Sequence, residues 1–277
     1  MSLRLVISNI SKSYNGKTVL KDCSFSFDSN RIYLLMGPNG SGKSTFLRIC
    51  ALLENPDGGE VIFIDDNIPH NPLPVWDNIT LNPTSVKDTP PSPPLVRGGV
   101  RGGVLKKDIQ LKRRITLVLP KIGVFNTTVF KNAAYGLKIR GFKKKEIEKR
   151  TDSVLELVGL AHKKESNALT LSSGETQRLG IARAIVMEPE VLFLDEPTAS
   201  LDPHSTTIIE ETISNIKNHH RVTIIMVTHN IFQAKRLADN VLFMYEGRLV
   251  DHGPNKEFFE SPKDERAYRF ITGQMVY

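Results

Sequence analysis

One string restricts the folds open to this chain more than any other: Gly37, Pro38, Asn39, Gly40, Ser41, Gly42, Lys43, Ser44 and Thr45. It follows the apolar run Ile32–Met36 and leads into Phe-Leu-Arg-Ile-Cys, so a strand, a tight loop and a helix are expected in that order. In that context the spacing is that of a phosphate-binding P-loop. Its glycines let backbone N–H groups turn inward around phosphate oxygens, and the start of the helix adds partial positive charge. Lys43 is then expected to reach the β and γ phosphates, the Ser44 hydroxyl to bind Mg²⁺, and Thr45 to contact the α phosphate.

Around this string, short β-rich runs alternate with helical patterns. Leu3–Ile7, Ser24–Phe27, Ile32–Met36, Glu60–Ile64, Val191–Leu194, Val222–Val227 and Val241–Tyr245 read as strands. Thr128–Ile139 and Lys145–Val158 read as helices, the second with Ile147, Val154, Leu155 and Val158 on one face. Strands alternating with helices predict an α/β fold whose parallel sheet is flanked by helices. The early hairpin-like strands predict a smaller antiparallel sheet beside it, and the pattern past residue 125 a helical subdomain at about 125–185. We expect one domain over 1–277.

Composition constrains location and partners. The 277 residues carry 37 Lys+Arg against 30 Asp+Glu, a formal charge of +7 that suits an anionic partner. Part of it lies in Lys143, Lys144, Lys145, Lys149 and Arg150, where interleaved Glu146 and Glu148 indicate a solvated helix face. No aromatic residues interleave with these bases, so no nucleic-acid partner is expected. Cys23 and Cys50 form no disulfide framework, which fits a reducing compartment. The N-terminus lacks the apolar core of a signal peptide, and the longest apolar runs fall far short of the ~18–20 residues that span a bilayer. Any membrane work would need another chain.

The stretch 82–107 departs from this pattern. It contains Pro90, Pro91, Pro93 and Pro94 and a tandem RGGV at 97–104. Prolines exclude a helix, and paired glycines supply nothing for a core, so a disordered surface insertion is expected.

A P-loop alone leaves several nucleotide-hydrolysing classes open. Val191-Leu-Phe-Leu-Asp195-Glu196 narrows them: an apolar strand ends in two carboxylates at the phosphate edge of the sheet. Asp195 is placed to hold Mg²⁺ through water, and Glu196 to polarise the attacking water. Upstream stands Leu171-Ser172-Ser173-Gly174-Glu175, followed by Thr-Gln-Arg-Leu-Gly-Ile-Ala-Arg-Ala-Ile. Here the chain resembles the ABC ATPases, whose signature reads LSGGQ before a basic, Ala-rich helix. Ala199-Ser-Leu-Asp202 resembles the family's D-loop, Thr228-His229 its switch histidine, and Tyr14 the aromatic residue that stacks on adenine.

That resemblance implies the ABC ATPase fold and a mechanism. Two copies would face each other head to tail, each ATP lying between the P-loop of one and the signature of the other. Ser172 and Gly174 would contact the γ-phosphate in trans, and His229 would sense it and orient water with Glu196. Closure by ATP and reopening after hydrolysis would drive an attached machine.

Three departures stand out. Ser173 replaces a signature glycine and Glu175 the signature glutamine. Pro120 stands where the family's Q-loop glutamine is expected, and it offers neither a side-chain amide nor an N–H. Hydrolysis or coupling is expected to feel this; fold and ATP binding are not.

The single P-loop, the lack of a long heptad insertion and the short tail after Val241 resemble a stand-alone importer ATPase. Such a subunit would sit at the cytoplasmic face of the membrane with separate permease chains and a substrate-binding protein. The segment Phe125–Gly141 lies where the family docks its permease, and it resembles that of tungstate importers. The cargo would then be an oxyanion. The alternative is a non-transport ABC ATPase with a regulatory or nucleic-acid-associated role, supported only by the basic balance and the RGGV repeat.

Overall fold

Alternation of apolar and polar residues builds the first layer. In β1 (Leu3–Tyr14), Leu3, Leu5 and Ile7 are buried while the residues between them face outward. This strand pairs antiparallel with β2 (Lys17–Phe27) on one side. The computed structural model describes residues 3–65, 100–101 and 109–275 of the chain.

The second layer is set by strands that do not alternate. All five residues of β3 (Ile32–Met36) are buried, as expected of a strand covered on both faces. The loop after it leads into helix α1 (Lys43–Cys50). β4 (Gly58–Asp65) then returns to the first layer, where β5 (Val100–Arg101) pairs with it, giving the order β2-β1-β4-β5. Two residues of the expected disordered insertion are thus placed in a short strand, and most of 82–107 lies outside the described residues.

A short helix, α2 (Ile109–Lys112), precedes β6 (Ile115–Val118). The expected single helix over Thr128–Ile139 occurs as two, α3 (Val129–Ala133) and α4 (Tyr135–Ile139), which meet at Ala134. The backbone pattern nearly carries through, since Ala134 N–H still donates to Phe130 O at 2.9 Å. α5 (Lys144–Leu157) buries Val154 and Leu155 with Val158 just beyond it, the face its periodicity predicted. α6 (Ser173–Ile185) packs against α3 and α5.

β7 (Val191–Asp195), α7 (Pro203–His220), β8 (Thr223–Val227), α8 (Ile231–Leu237), β9 (Asn240–Tyr245) and β10 (Arg248–Pro254) complete the second sheet. Its order is β10-β9-β3-β8-β7-β6, parallel except for the antiparallel edge strand β10. α9 (Asn255–Glu260) and α10 (Glu265–Ile271) close the described chain.

Because successive side chains in a strand point to opposite faces, this sheet divides the core in two. Tyr33, Leu35, Phe193 and Ile225 pack with α1 and the antiparallel sheet. Leu34, Leu192, Leu194, Ile224 and Met226 pack with the helices on the other side. Each such side chain contributes ~1.5–3 kcal/mol on burial. Arg114 ties the two layers together, pairing with Asp65 at 2.7 Å and Glu190 at 2.6 Å. The consequence for function is geometric: the parallel strands β3, β7 and β8 all deliver the loops that follow them to one edge.

Candidate functional site

At that edge β3 runs directly into the Gly37–Gly42 loop. Gly37 has φ 144°, and a Cβ there would lie 2.0 Å from the Met244 carbonyl oxygen. Gly42 has φ 103°, caps α1, and would place a Cβ 2.9 Å from Val19 O. Only glycine allows both the turn and the close approach. Lys43 is buried at 6% exposure, and its Nζ donates to the carbonyls of Gly37 at 2.8 Å and Pro38 at 2.7 Å. Burial pushes its ammonium below the ordinary lysine value, while Glu196 and Asp195 oppose that shift. An ammonium held inside a glycine loop, under two carboxylates, is prepared for a polyanion.

Ser44 and Asp195, 151 residues apart, meet here: the Ser44 hydroxyl donates to Asp195 Oδ1 at 3.1 Å. Asp195 is buried at the end of β7, and burial raises its carboxyl above the ordinary value against the Ser44 hydrogen bond. A hydroxyl and a carboxylate oxygen side by side suit a small hard cation such as Mg²⁺, which takes few protein ligands and completes its shell with water and phosphate.

Glu196 follows in a left-handed conformation, φ 47°, its N–H bonded to Val227 O at 3.1 Å. This backbone, uncommon for a non-glycine residue, turns the Glu196 side chain toward the loop after β8. There His229 Nδ1 lies 3.6 Å from Glu196 Oε1. The structure therefore gathers Lys43, Ser44, Asp195, Glu196 and His229 at one sheet edge.

Ser172 and Gly174 stand at the start of α6 with other contacts. Ser172 Oγ accepts from Glu175 N–H at 3.3 Å, and Ser172 N–H donates to Glu175 Oε2 at 2.9 Å, a reciprocal capping box. Burial disfavours the charged Glu175 carboxylate, but Lys163 at 2.6 Å and the Ser172 N–H outweigh it and hold Glu175 below its ordinary value. The residue that replaces the signature glutamine thus has a local role, legible in the Ser-x-x-Glu spacing. Gly174 is buried, and a Cβ would lie 2.5 Å from Ser205 Oγ of α7. Ser173 is exposed at the helix start.

Tyr14 ends β1 with 40% of its surface exposed, Lys12 Nζ lying 5.4 Å from its ring centroid. Its hydroxyl donates to Glu54, a partner 40 residues away that sequence reasoning did not find. Pro120 is exposed two residues beyond Val118, which pairs with Leu194, so it reaches the same edge as Glu196. Beside it a groove of about 330 Å³ runs between β6, α4 and α6, lined by Leu119, Ile122, Tyr135 and Arg183. Phe125 and Tyr135 pack at 4.6 Å between ring centroids, tilted by 41°, near this groove; Arg183 lies over Phe125 at 5.2 Å, and both rings are substantially exposed.

The ABC transporter family matches residues 20–199, from within β2 to Ala199, just beyond the loop that carries Glu196. The chain is 32% identical over 282 residues to the phosphate import ATP-binding protein PstB 2 of Natronomonas pharaonis, covering 99% of this chain and 88% of that one. It is 33% identical over 247 residues to the tungstate uptake system ATP-binding protein TupC of Peptoclostridium acidaminophilum, covering 89% and 97%. Among solved structures it resembles CbiO1 of Clostridium perfringens, part of the ABC transporter complex CbiONQ, with a TM-score of 0.74, 27% identity and coverage of 98% and 95%. This chain belongs to the ABC transporter family. It is an ATP-binding subunit that hydrolyses ATP in a transport system, and among the described residues no helix is long and apolar enough to cross a membrane.

Proposed function

We propose that this chain drives uptake of an oxyanion through separate permease chains, from the cytoplasmic face of the membrane. The observation that carries the reading is the convergence of Lys43, Ser44, Asp195, Glu196 and His229 at one sheet edge. In this reading the backbone of Gly37, Pro38, Asn39, Gly40, Ser41 and Gly42 surrounds the phosphates, and Lys43 compensates the β and γ charges. Thr45 faces the α phosphate, and the Tyr14 ring stacks on adenine. Ser44 and Asp195 would hold Mg²⁺, which supplies charge neutralisation across the β and γ phosphate oxygens. Glu196 accepts a hydrogen bond from the attacking water, and His229 orients that water and reads the γ-phosphate.

A second copy, placed head to tail, would contribute Ser172, exposed at the start of α6, and the backbone of buried Gly174, where N–H groups favour an anion. The chain would act as a single domain over 1–277, with about 125–185 as the helical subdomain that receives the permease. The Phe125, Tyr135 and Leu119 surface fits an apolar permease segment. A substrate-binding protein would complete the system. PstB 2 is a phosphate import protein and TupC a tungstate uptake protein, both handling tetrahedral oxyanions. That shared chemistry supports an oxyanion cargo, and the segment 125–141 favours tungstate.

Uptake tests this reading. Cells lacking the chain, complemented with wild type or Lys43→Ala, are assayed for tungstate, molybdate and phosphate accumulation. Wild type should restore tungstate uptake and Lys43→Ala should not. Restored phosphate uptake alone would reassign the cargo. Unchanged accumulation of all three would sink the importer reading.

A further inference from the structure

Gln233 is a polar residue with 0% exposure, one turn beyond Thr228-His229. Its amide has a full set of partners, drawn from loops far apart in sequence. Its Oε1 accepts from Thr228 Oγ1 at 2.7 Å, and Thr228 Oγ1 in turn accepts from Asn230 N–H at 3.1 Å. Its Nε2 lies 3.0 Å from Thr198 Oγ1 and 3.3 Å from Glu210 Oε1, one acceptor for each N–H. Glu210 is itself held by two N–H groups of Arg236, at 2.8 and 2.7 Å. Only an amide has the donors and the acceptor that this arrangement uses. A carboxylate at position 233 would confront Glu210.

What the amide joins gives it a role. Thr198 lies two residues beyond Glu196, and Thr228 is the residue before His229. Glu196 sits in an uncommon left-handed conformation that its surroundings must impose. Its loop is held by Glu196 N–H to Val227 O at 3.1 Å, Ala199 N–H to Glu196 O at 3.1 Å, Leu201 N–H to Thr198 O at 3.3 Å, and the Thr198 hydroxyl on Gln233.

We propose that Gln233 is a positioning residue for ATP hydrolysis: its amide ties the loop carrying Glu196 to the loop carrying His229 and so sets their mutual geometry. The proposal rests on the reading of those two residues as the hydrolytic pair. A filler of the core would need no amide, and every partner of this one belongs to the two loops or to the helices that follow them.

The test uses the full-length chain, with steady-state ATP hydrolysis in Mg²⁺ and thermal melting measured side by side. Gln233→Leu keeps the volume and removes the amide. It should lower kcat about tenfold or more, as expected for a small misplacement of reacting groups, while KM for ATP stays within about twofold. Thr198→Val should give a smaller fall in kcat with the same KM, and adding it to Gln233→Leu should cost little more, since both break one link. A wild-type kcat per folded molecule in Gln233→Leu, with only the melting temperature lowered, would overturn the proposal. Should Gln233→Leu fail to fold, Thr198→Val decides: a reduced kcat supports the link and an unchanged one overturns it. Glu196→Gln separates the two levels. If it still turns over, the hydrolytic reading falls and this proposal with it; if it is inactive while Gln233→Leu and Thr198→Val are fast, only the role of Gln233 falls.

Discussion

His229 Nδ1 stands 3.6 Å from Glu196 Oε1, just beyond hydrogen-bond range, with the imidazole far more exposed than the carboxylate. The two side chains come from the loops after different strands, so a shared ligand between them would close the gap from both sides. His229→Ala should therefore lower ATP turnover about 10²-fold while leaving ATP affinity nearly unchanged, because water positioning and proton transfer are worth that much in rate. Nucleotide affinity and turnover measured on one preparation check this. A loss of affinity matching the loss of rate would instead make His229 a binding residue.

Pro120 offers a gain-of-function test. It sits at the sheet edge that carries Glu196, beside the groove between β6, α4 and α6. Pro120→Gln adds an amide there without touching the P-loop or Tyr14. ATP hydrolysis, or its stimulation by permease chains, should rise while ATP affinity stays level. Rates compared at matched protein, Mg²⁺ and saturating ATP decide the matter. Equal rates in every condition would show that position 120 does not act as the family's glutamine does.

Both cysteines are buried, and their thiols should be inert in the folded protein. Burial pushes Cys23 up to about 11 and Cys50 well above the ordinary value of 9.0. At pH 8, maleimide or a chromogenic disulfide should label neither until denaturant is added. The same shift carries a sign for stability. Above pH 9 the unfolded chain loses thiol protons that the folded chain keeps, so stability should fall between pH 9 and about 11. Rapid labelling of the native protein at pH 8 would contradict the burial of both thiols.

The fold was legible because its signals are local. The run Ile32–Met36 before Gly37 could only be a buried strand entering a turn, and the same holds for Val191–Asp195 before Glu196. The P-loop and the acidic pair were legible for that reason. The Thr128–Ile139 segment gives two helices rather than one, and the residue at the break, Ala134, is neither glycine nor proline, so no local signal marks it. Glu54 beneath Tyr14 and the amide of Gln233 could not be found either. Each joins residues 30 or more positions apart, Tyr14 with Glu54 and Thr198 with Gln233, and neither has a spacing signal. Glu175 is the intermediate case: the Ser-x-x-Glu spacing of a capping box is present in the sequence, and the structure forms both of its hydrogen bonds.

The proposed mechanism depends most directly on Glu196 activating water without holding the nucleotide. Purified wild type and Glu196→Gln are compared for ATP turnover and for oligomeric state by size exclusion with ATP and Mg²⁺. Glu196→Gln should bind ATP as wild type does, lose nearly all turnover, and elute as a dimer only when ATP is present. Wild-type turnover by Glu196→Gln, or an elution profile that ATP leaves unchanged, would contradict it.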